Sequence, residues 1–172
     1  MKVLVTGGVR SGKSRHAEAL LAASGAVTYV APGPAADDAD WAERIAAHRA
    51  ARPASWTTVE THDLATGLAT DGPVIVDCLG TWLTALLDDH ALWDAPIGEA
   101  TALVRTELAR AADALAARTA GTVLVTNEVG LGVVPAHRSG RVFRDLLGLV
   151  NQELAAVCDE VHLVIAGRVL TL

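Results

Sequence analysis

Val3-Leu4-Val5-Thr6-Gly7-Gly8-Val9-Arg10-Ser11-Gly12-Lys13-Ser14 is the stretch on which the fold turns. A short apolar run breaks into two glycines, and the segment ends in Gly-Lys-Ser where an Ala/Leu-rich helical pattern starts. That is the pattern G-x-x-x-x-G-K-[ST] in a strand–loop–helix setting. Its glycines let backbone N–H groups converge on phosphate oxygens with no Cβ in the way, and the following helix N-terminus adds partial positive charge. In this geometry Lys13 reaches the outer phosphates and the Ser14 hydroxyl is a ligand for Mg2+. The loop from Gly7 through Gly8, Val9, Arg10, Ser11, Gly12 and Lys13 to Ser14 is the expected nucleotide cradle.

Outward from this loop, the pattern alternates short β-like runs with longer helical ones, as in α/β architecture. Strands are expected at Val3–Val5, Ala26–Ala31, Trp56–Glu60, Val74–Asp77, Thr122–Thr126, Glu160–Ala166 and Val169–Leu172. Helices are expected at about Lys13–Ala23, from Asp37 or Asp38 to Ala51, Asp63–Ala69, Thr81–Leu87, Ile97–Arg118 and Arg141–Val157. The segment Asp88–Gly98 reads as a long loop, a lid or a connector. Gly167-Arg168 between the last two strands predicts a two-residue hairpin turn, which makes the final strand antiparallel.

Composition narrows the partners. The chain has 172 residues, 51% of them hydrophobic, and a net charge of −6. With no basic block and few aromatics, nucleic acid is not the expected partner. The apolar runs are interrupted by Asp77, Gly80 or Thr84, so no membrane span is expected, and the short apolar start running into the loop is not expected to be a secretory signal. Cys78 and Cys158 read as small core residues in a reducing cytoplasm. Only Lys2 and Lys13 are lysines among 14 Lys and Arg residues, so an otherwise Arg-using chain places a compact ammonium in the loop.

In a parallel sheet, ligands gather beyond the carboxyl ends of the strands. That rule groups Gly7–Ser14 with Ala31–Gly33, Asp77 and Asn127-Glu128. Asp77 ends an apolar strand, as does the acid that holds Mg2+ directly or through water in nucleotide sites; a helix N-cap or a carboxylate bonded to backbone is its other reading. Arg44, His48 and Arg52 recur at every fourth residue, along one helix edge. Spacing alone leaves His48 either an ordinary helix histidine or a neutral imidazole nucleophile between two phosphate clamps. Of the other histidines, His16 is expected to be solvated, His62, His90 and His137 to lie in connections, and His162 to be structural.

The segments TGGVRSGKSRHAEAL, RIAAHRAARPASWTTVE and VTNEVGLGVVPAHRSGRVFRDLLGLVNQELAAVCDEVHLV resemble the bifunctional adenosylcobinamide kinase/adenosylcobinamide-phosphate guanylyltransferase family of cobalamin biosynthesis. The similarity runs nearly end to end and is loosest between Asp88 and Ala120. It implies a single P-loop (RecA-like) α/β domain over residues 1–172. The sheet would be mostly parallel, with helices on both faces and an antiparallel C-terminal edge hairpin.

It also implies phosphorylation of adenosylcobinamide by ATP or GTP. Transfer of GMP from GTP to adenosylcobinamide phosphate would follow, through a covalent GMP-histidine at His48. By the same resemblance Ala31, Pro32, Gly33, Arg49, Ala50, Ala51, Arg52, Glu60 and Asp77 join the loop in holding GTP. Ser14 and Asp77 would hold Mg2+, and the assembly would be a homotrimer. The chain carries Pro32-Gly33-Pro34 where the family pattern has a small hydroxyl-bearing residue. A plain P-loop kinase moving only the γ-phosphate, and a nucleotide-dependent binding module, are the competing expectations.

Overall fold

The structure, a computed structural model, describes residues 1–33, 43 and 52–172. The expected helix ending at Ala51, with Arg44, His48, Arg49 and Ala50, lies outside the described residues except for Glu43. Among the described residues seven strands form one sheet: β1 (Lys2–Gly7), β2 (Thr28–Ala31), β3 (Thr57–Glu60), β4 (Val74–Asp77), β5 (Thr122–Val125), β6 (Glu160–Ile165) and β7 (Arg168–Thr171). Their order is β3-β2-β4-β5-β1-β6-β7, parallel throughout except for the β6–β7 pair.

Alternation along the strands divides the core in two, since successive side chains point to opposite faces. Val3, Val5, Tyr29, Ile75, Val123 and Val125 pack under α1 (Lys13–Leu21), which buries Ala17 and Leu21. Leu4, Val30, Val74, Val76 and Leu124 face the other way. There they meet α2 (Leu64–Leu68), α3 (Leu79–Asp89), α4 (Ile97–Ala117) and α5 (Arg138–Ala155). In α4 the buried residues are Ala100, Val104, Leu108, Ala111 and Leu115, one helical stripe. Among the described residues no helix is long and apolar enough to cross a membrane.

Two expectations change. The hairpin turn is Ala166-Gly167, one residue earlier than predicted, and Arg168 pairs with Ile165 in the ladder. Both turn residues have positive φ, 49° and 75°, and this register gives Gly the second of the two left-handed positions. The long loop after α3 shrinks, because Asp88, Asp89, Ile97 and Gly98 belong to helices. Trp93 donates its indole N–H to Asp88, and Arg138 bonds the carbonyls of Trp93 and Ala95. These bonds pin the segment between α3 and α5.

Candidate active site

The loop between β1 and α1 is built mainly by backbone. Gly12 adopts φ 96°, a left-handed conformation that an L side chain strains to reach. Ser11 N–H donates to the Gly8 carbonyl at 3.3 Å, and His16 N–H to the Gly12 carbonyl at 3.0 Å. Gly7 has no room for anything larger: a Cβ there would sit 2.4 Å from the Val164 carbonyl oxygen and 2.7 Å from Ser11 Oγ. Neighbouring strands lock the loop from outside. Glu128 N–H donates to the Gly7 carbonyl at 3.1 Å, and Gly167 N–H to the Ser11 carbonyl at 2.8 Å.

Lys13 is only 8% exposed, and its Nζ lies 3.2 Å from the Gly8 carbonyl. An ammonium folded over the loop in this way is positioned for anionic oxygens held by the loop amides. Ser11 Oγ is buried with no hydrogen-bond partner among the described residues. Arg10 also has positive φ, 55°, and Val9 is exposed.

Across the sheet, Asp77 lies level with Val125, and Val125 with Val5, two residues before Gly7. The acid thus stands on the edge where the loop begins. Tyr29, buried in β2, donates its hydroxyl to Asp77 Oδ2 at 2.8 Å. Burial first, then the Asp77 carboxylate, pushes the Tyr29 phenol far above its ordinary range, so it remains a donor. The Arg52 guanidinium carbon sits 3.2 Å from the centre of the Tyr29 ring, and Nη1 donates to Thr58 Oγ1 at 3.1 Å. Ala31 and Glu60 end β2 and β3 side by side. Gly33 packs on α3, since a Cβ on it would lie 3.0 Å from Thr81 Cβ, and Pro32 is buried beside it.

These placements gather the loop, Ala31, Glu60 and Asp77 at the carboxyl edge of the sheet, with Arg52 beside them over Tyr29. His48, Arg49, Ala50 and Ala51 lie outside the described residues. The Asp77 carboxylate has one oxygen on Tyr29, and carboxylate and hydroxyl oxygens are the hard donors that Mg2+ prefers. Asp77 and Ser14 therefore fit the ion by chemistry, and phosphate and water oxygens would complete its shell.

Three features escaped the sequence reading. Tyr29 holds Asp77. Asn151 bridges the end of β5, accepting from Thr126 Oγ1 at 2.6 Å and donating to the Asn127 carbonyl at 3.1 Å. His16 is not simply solvated: its Nε2 lies 2.9 Å from Nδ1 of buried His162, whose Nε2 lies 2.8 Å from Glu160 Oε2. A polar residue at the centre of an apolar strand, as Tyr29 and His162 both are, is the one local signal that points to such partners.

The cysteines are half-buried rather than central to the core. Cys78 caps α3, with Thr81 N–H donating to its Sγ at 3.5 Å and Cys78 N–H to Thr81 Oγ1 at 3.4 Å. Burial and then Asp77 raise its thiol pKa, and burial with Asp159 pushes Cys158 up to about 12, so neither is a poised thiolate.

The model of the family "Cobinamide kinase / cobinamide phosphate guanyltransferase" matches residues 3–172. The chain belongs to this family. It is 43% identical to the "Bifunctional adenosylcobalamin biosynthesis protein CobU" of Salmonella typhimurium, over 97% of each chain. It is 42% identical to the Pseudomonas aeruginosa "Bifunctional adenosylcobalamin biosynthesis protein CobP", over 97% of this chain and 94% of that protein. Family membership makes it an enzyme of the bifunctional kinase and guanylyltransferase kind. Among solved structures, the P4 protein of bacteriophage phi6 in complex with ADP aligns at TM-score 0.40 and 15% identity. That alignment covers 99% of this chain and 54% of the viral one.

Proposed function

We propose that this chain first transfers the γ-phosphate of ATP or GTP to the aminopropanol hydroxyl of adenosylcobinamide. It then transfers GMP from GTP to the resulting phosphate, giving adenosylcobinamide-GDP and pyrophosphate. The observation that carries this reading is the loop itself, with Gly12 left-handed and Lys13 drawn over Gly8 at the edge shared with Asp77.

In the first step the loop amides and Lys13 hold the phosphates and offset the charge of the transferring group. Mg2+ held by Ser14 and Asp77 would supply further charge neutralisation there. In the second, an imidazole nitrogen of His48 attacks the α-phosphorus as the bond to pyrophosphate breaks. A phosphate oxygen of the substrate then displaces the imidazole, so one difficult transfer becomes two easier ones. Arg49 and Arg52 serve as clamps, with Ala31, Pro32, Gly33, Ala50, Ala51 and Glu60 completing the GTP contacts. A single domain over residues 1–172 carries both reactions, in the cytoplasm and without nucleic acid as partner.

The exposed apolar residues Leu131, Val133 and Val134, and the open edge of β7 with Leu170, support assembly of copies, which we assign as a homotrimer.

Incubation with α-labelled GTP tests the covalent step. The expected product is protein-bound label that is acid-labile and base-stable, lost in His48→Ala while γ-transfer survives. Movement of γ-label alone makes the chain a plain P-loop kinase. Transfer of neither label makes it a binding module.

A further inference from the structure

Beside the loop, on the side away from Asp77, α1 and the C-terminal hairpin enclose a cleft of about 310 Å³. That volume is where small-molecule sites begin. Its floor is the backbone of Gly12 and Gly167, joined through the Ser11 carbonyl, so the cleft opens directly onto the phosphate loop. Ala19, Val164 and Val169 give it apolar walls, and Arg15 and His16 supply the polar groups. Arg15 Nη2 lies 3.8 Å from the Cβ position of each glycine, which spreads a planar cation along the floor. A guanidinium plane of this kind stacks on aromatic rings.

The hydrogen bonds behind His16 run as a chain, His16 Nε2 to His162 Nδ1 and His162 Nε2 to Glu160 Oε2. With both rings neutral, the carboxylate accepts from His162 Nε2–H and His162 Nδ1 is bare. His16 Nε2–H then donates to that nitrogen, leaving His16 Nδ1 an acceptor with no partner among the described residues. Burial, and next the neighbouring His162, lower the His16 pKa and keep the ring neutral. The cleft therefore offers a stacking plane, apolar walls and a fixed acceptor, which suits a heteroaromatic ring bearing an amino group.

We propose that this cleft receives the base and ribose of the nucleoside triphosphate that donates its γ-phosphate. The proposal rests on the reading of the loop as a triphosphate cradle. The two reactions need different phosphorus atoms at the acceptor, γ in one and α in the other. Residues assigned to GTP for nucleotidyl transfer, among them Ala31, Gly33, Arg52 and Glu60, lie on the β2–β3 side of the loop, whereas the cleft lies on the β6–β7 side. A triphosphate entering from the hairpin presents its γ end toward Asp77. One entering from the β2 side presents its α-phosphorus there instead. Two base subsites flanking one cradle thus let one loop serve both reactions.

The test compares ATP with tripolyphosphate, which fills the cradle and leaves the cleft empty, by calorimetry on the full chain. Ala19→Leu and Val169→Phe should each weaken ATP about tenfold and leave tripolyphosphate within about twofold. Independently, 8-azido-ATP should crosslink the unmodified protein within residues 15–19 or 164–169. Unchanged ATP affinity in both variants, equal weakening of both ligands, or crosslinks confined to residues 31–33 would each overturn the proposal. Lys13→Ala separates the two readings. If it leaves tripolyphosphate binding intact, the cradle has failed and the cleft falls with it. If it abolishes that binding while the cleft variants do nothing, only the cleft has failed.

Discussion

The two flanks of the β1 loop are made of different material. Toward β6 and β7, contact is between backbones: Gly167 to Ser11, and Gly7 against the Val164 carbonyl. On the other side β5 also holds the loop by backbone, Glu128 N–H to the Gly7 carbonyl, but beyond it, toward β2 and β4, the site is made of side chains: Arg52 over Tyr29, and Tyr29 to Asp77. A backbone-built wall is stiff, because moving it breaks a sheet. A side-chain wall can be rearranged by rotamer changes alone. The phosphates are therefore expected to be held by the stiff flank, and the chemistry that must alternate between two reactions by the adjustable one.

The strongest way to break this contrast is Gly7→Ala. The new Cβ meets a main-chain oxygen that cannot turn away, so β1 and β6 must part. A loss of about 3 kcal/mol or more in urea unfolding, with loss of tripolyphosphate binding, is expected. Gly8→Ala is the matched control, since a Cβ there meets nothing within 4 Å. It should unfold within about 0.5 kcal/mol of the parent, so any binding defect in it reports ligand approach. If Gly7→Ala is as stable as Gly8→Ala, the stiff flank does not exist.

Tyr29→Phe probes the other flank with a smaller effect. The ring that supports Arg52 stays, and only the hydroxyl on Asp77 is lost. Turnover should fall about tenfold in both reactions, the equivalent of one hydrogen bond to a carboxylate. Tripolyphosphate affinity should not move, because that ligand is held across the loop from Tyr29. A parallel loss of affinity would show that the two flanks act as one.

This contrast also explains what could be read from the sequence. The loop, the acid ending β4 and the short helix from about Asp63 are local patterns, each specified within a few residues, and all are found where expected. Tyr29 and Asp77 are 48 residues apart and meet only because β2 lies beside β4. His16 and His162 are 146 apart and meet only because β6 lies beside β1. Strand order is not encoded in any short window, so partners across strands stay hidden until the sheet is assembled. The hairpin missed by one residue for a different reason. Both registers contain Gly167, and the choice between them is made by pairing with β6 along the whole of β7.

The smallest effect belongs to a residue outside both flanks. Asp63 caps α2, accepting from Thr66 N–H at 3.1 Å and Thr66 Oγ1 at 2.9 Å, and Arg110 Nη2 lies 2.9 Å from its Oδ2. The Thr66 amide bond comes first among the causes that hold its carboxyl below the ordinary value of 3.8, with the Arg110 and Thr66 side chains adding to it. A depressed native pKa means stability that is present above the unfolded value and lost as pH falls through the native one. Asp63→Ala should therefore cost about 1 kcal/mol at pH 7. The gap from the parent should close at a pH below the ordinary carboxylate range, as the parent's carboxylate takes up its proton. Urea unfolding of both proteins across that range measures it. Neither transfer reaction should change at neutral pH, because α2 packs on α4 and Val30 rather than on the loop. A variant that lost activity while keeping its stability would mean that the side-chain flank extends through β2 to this helix, and that the division drawn at β1 is too sharp.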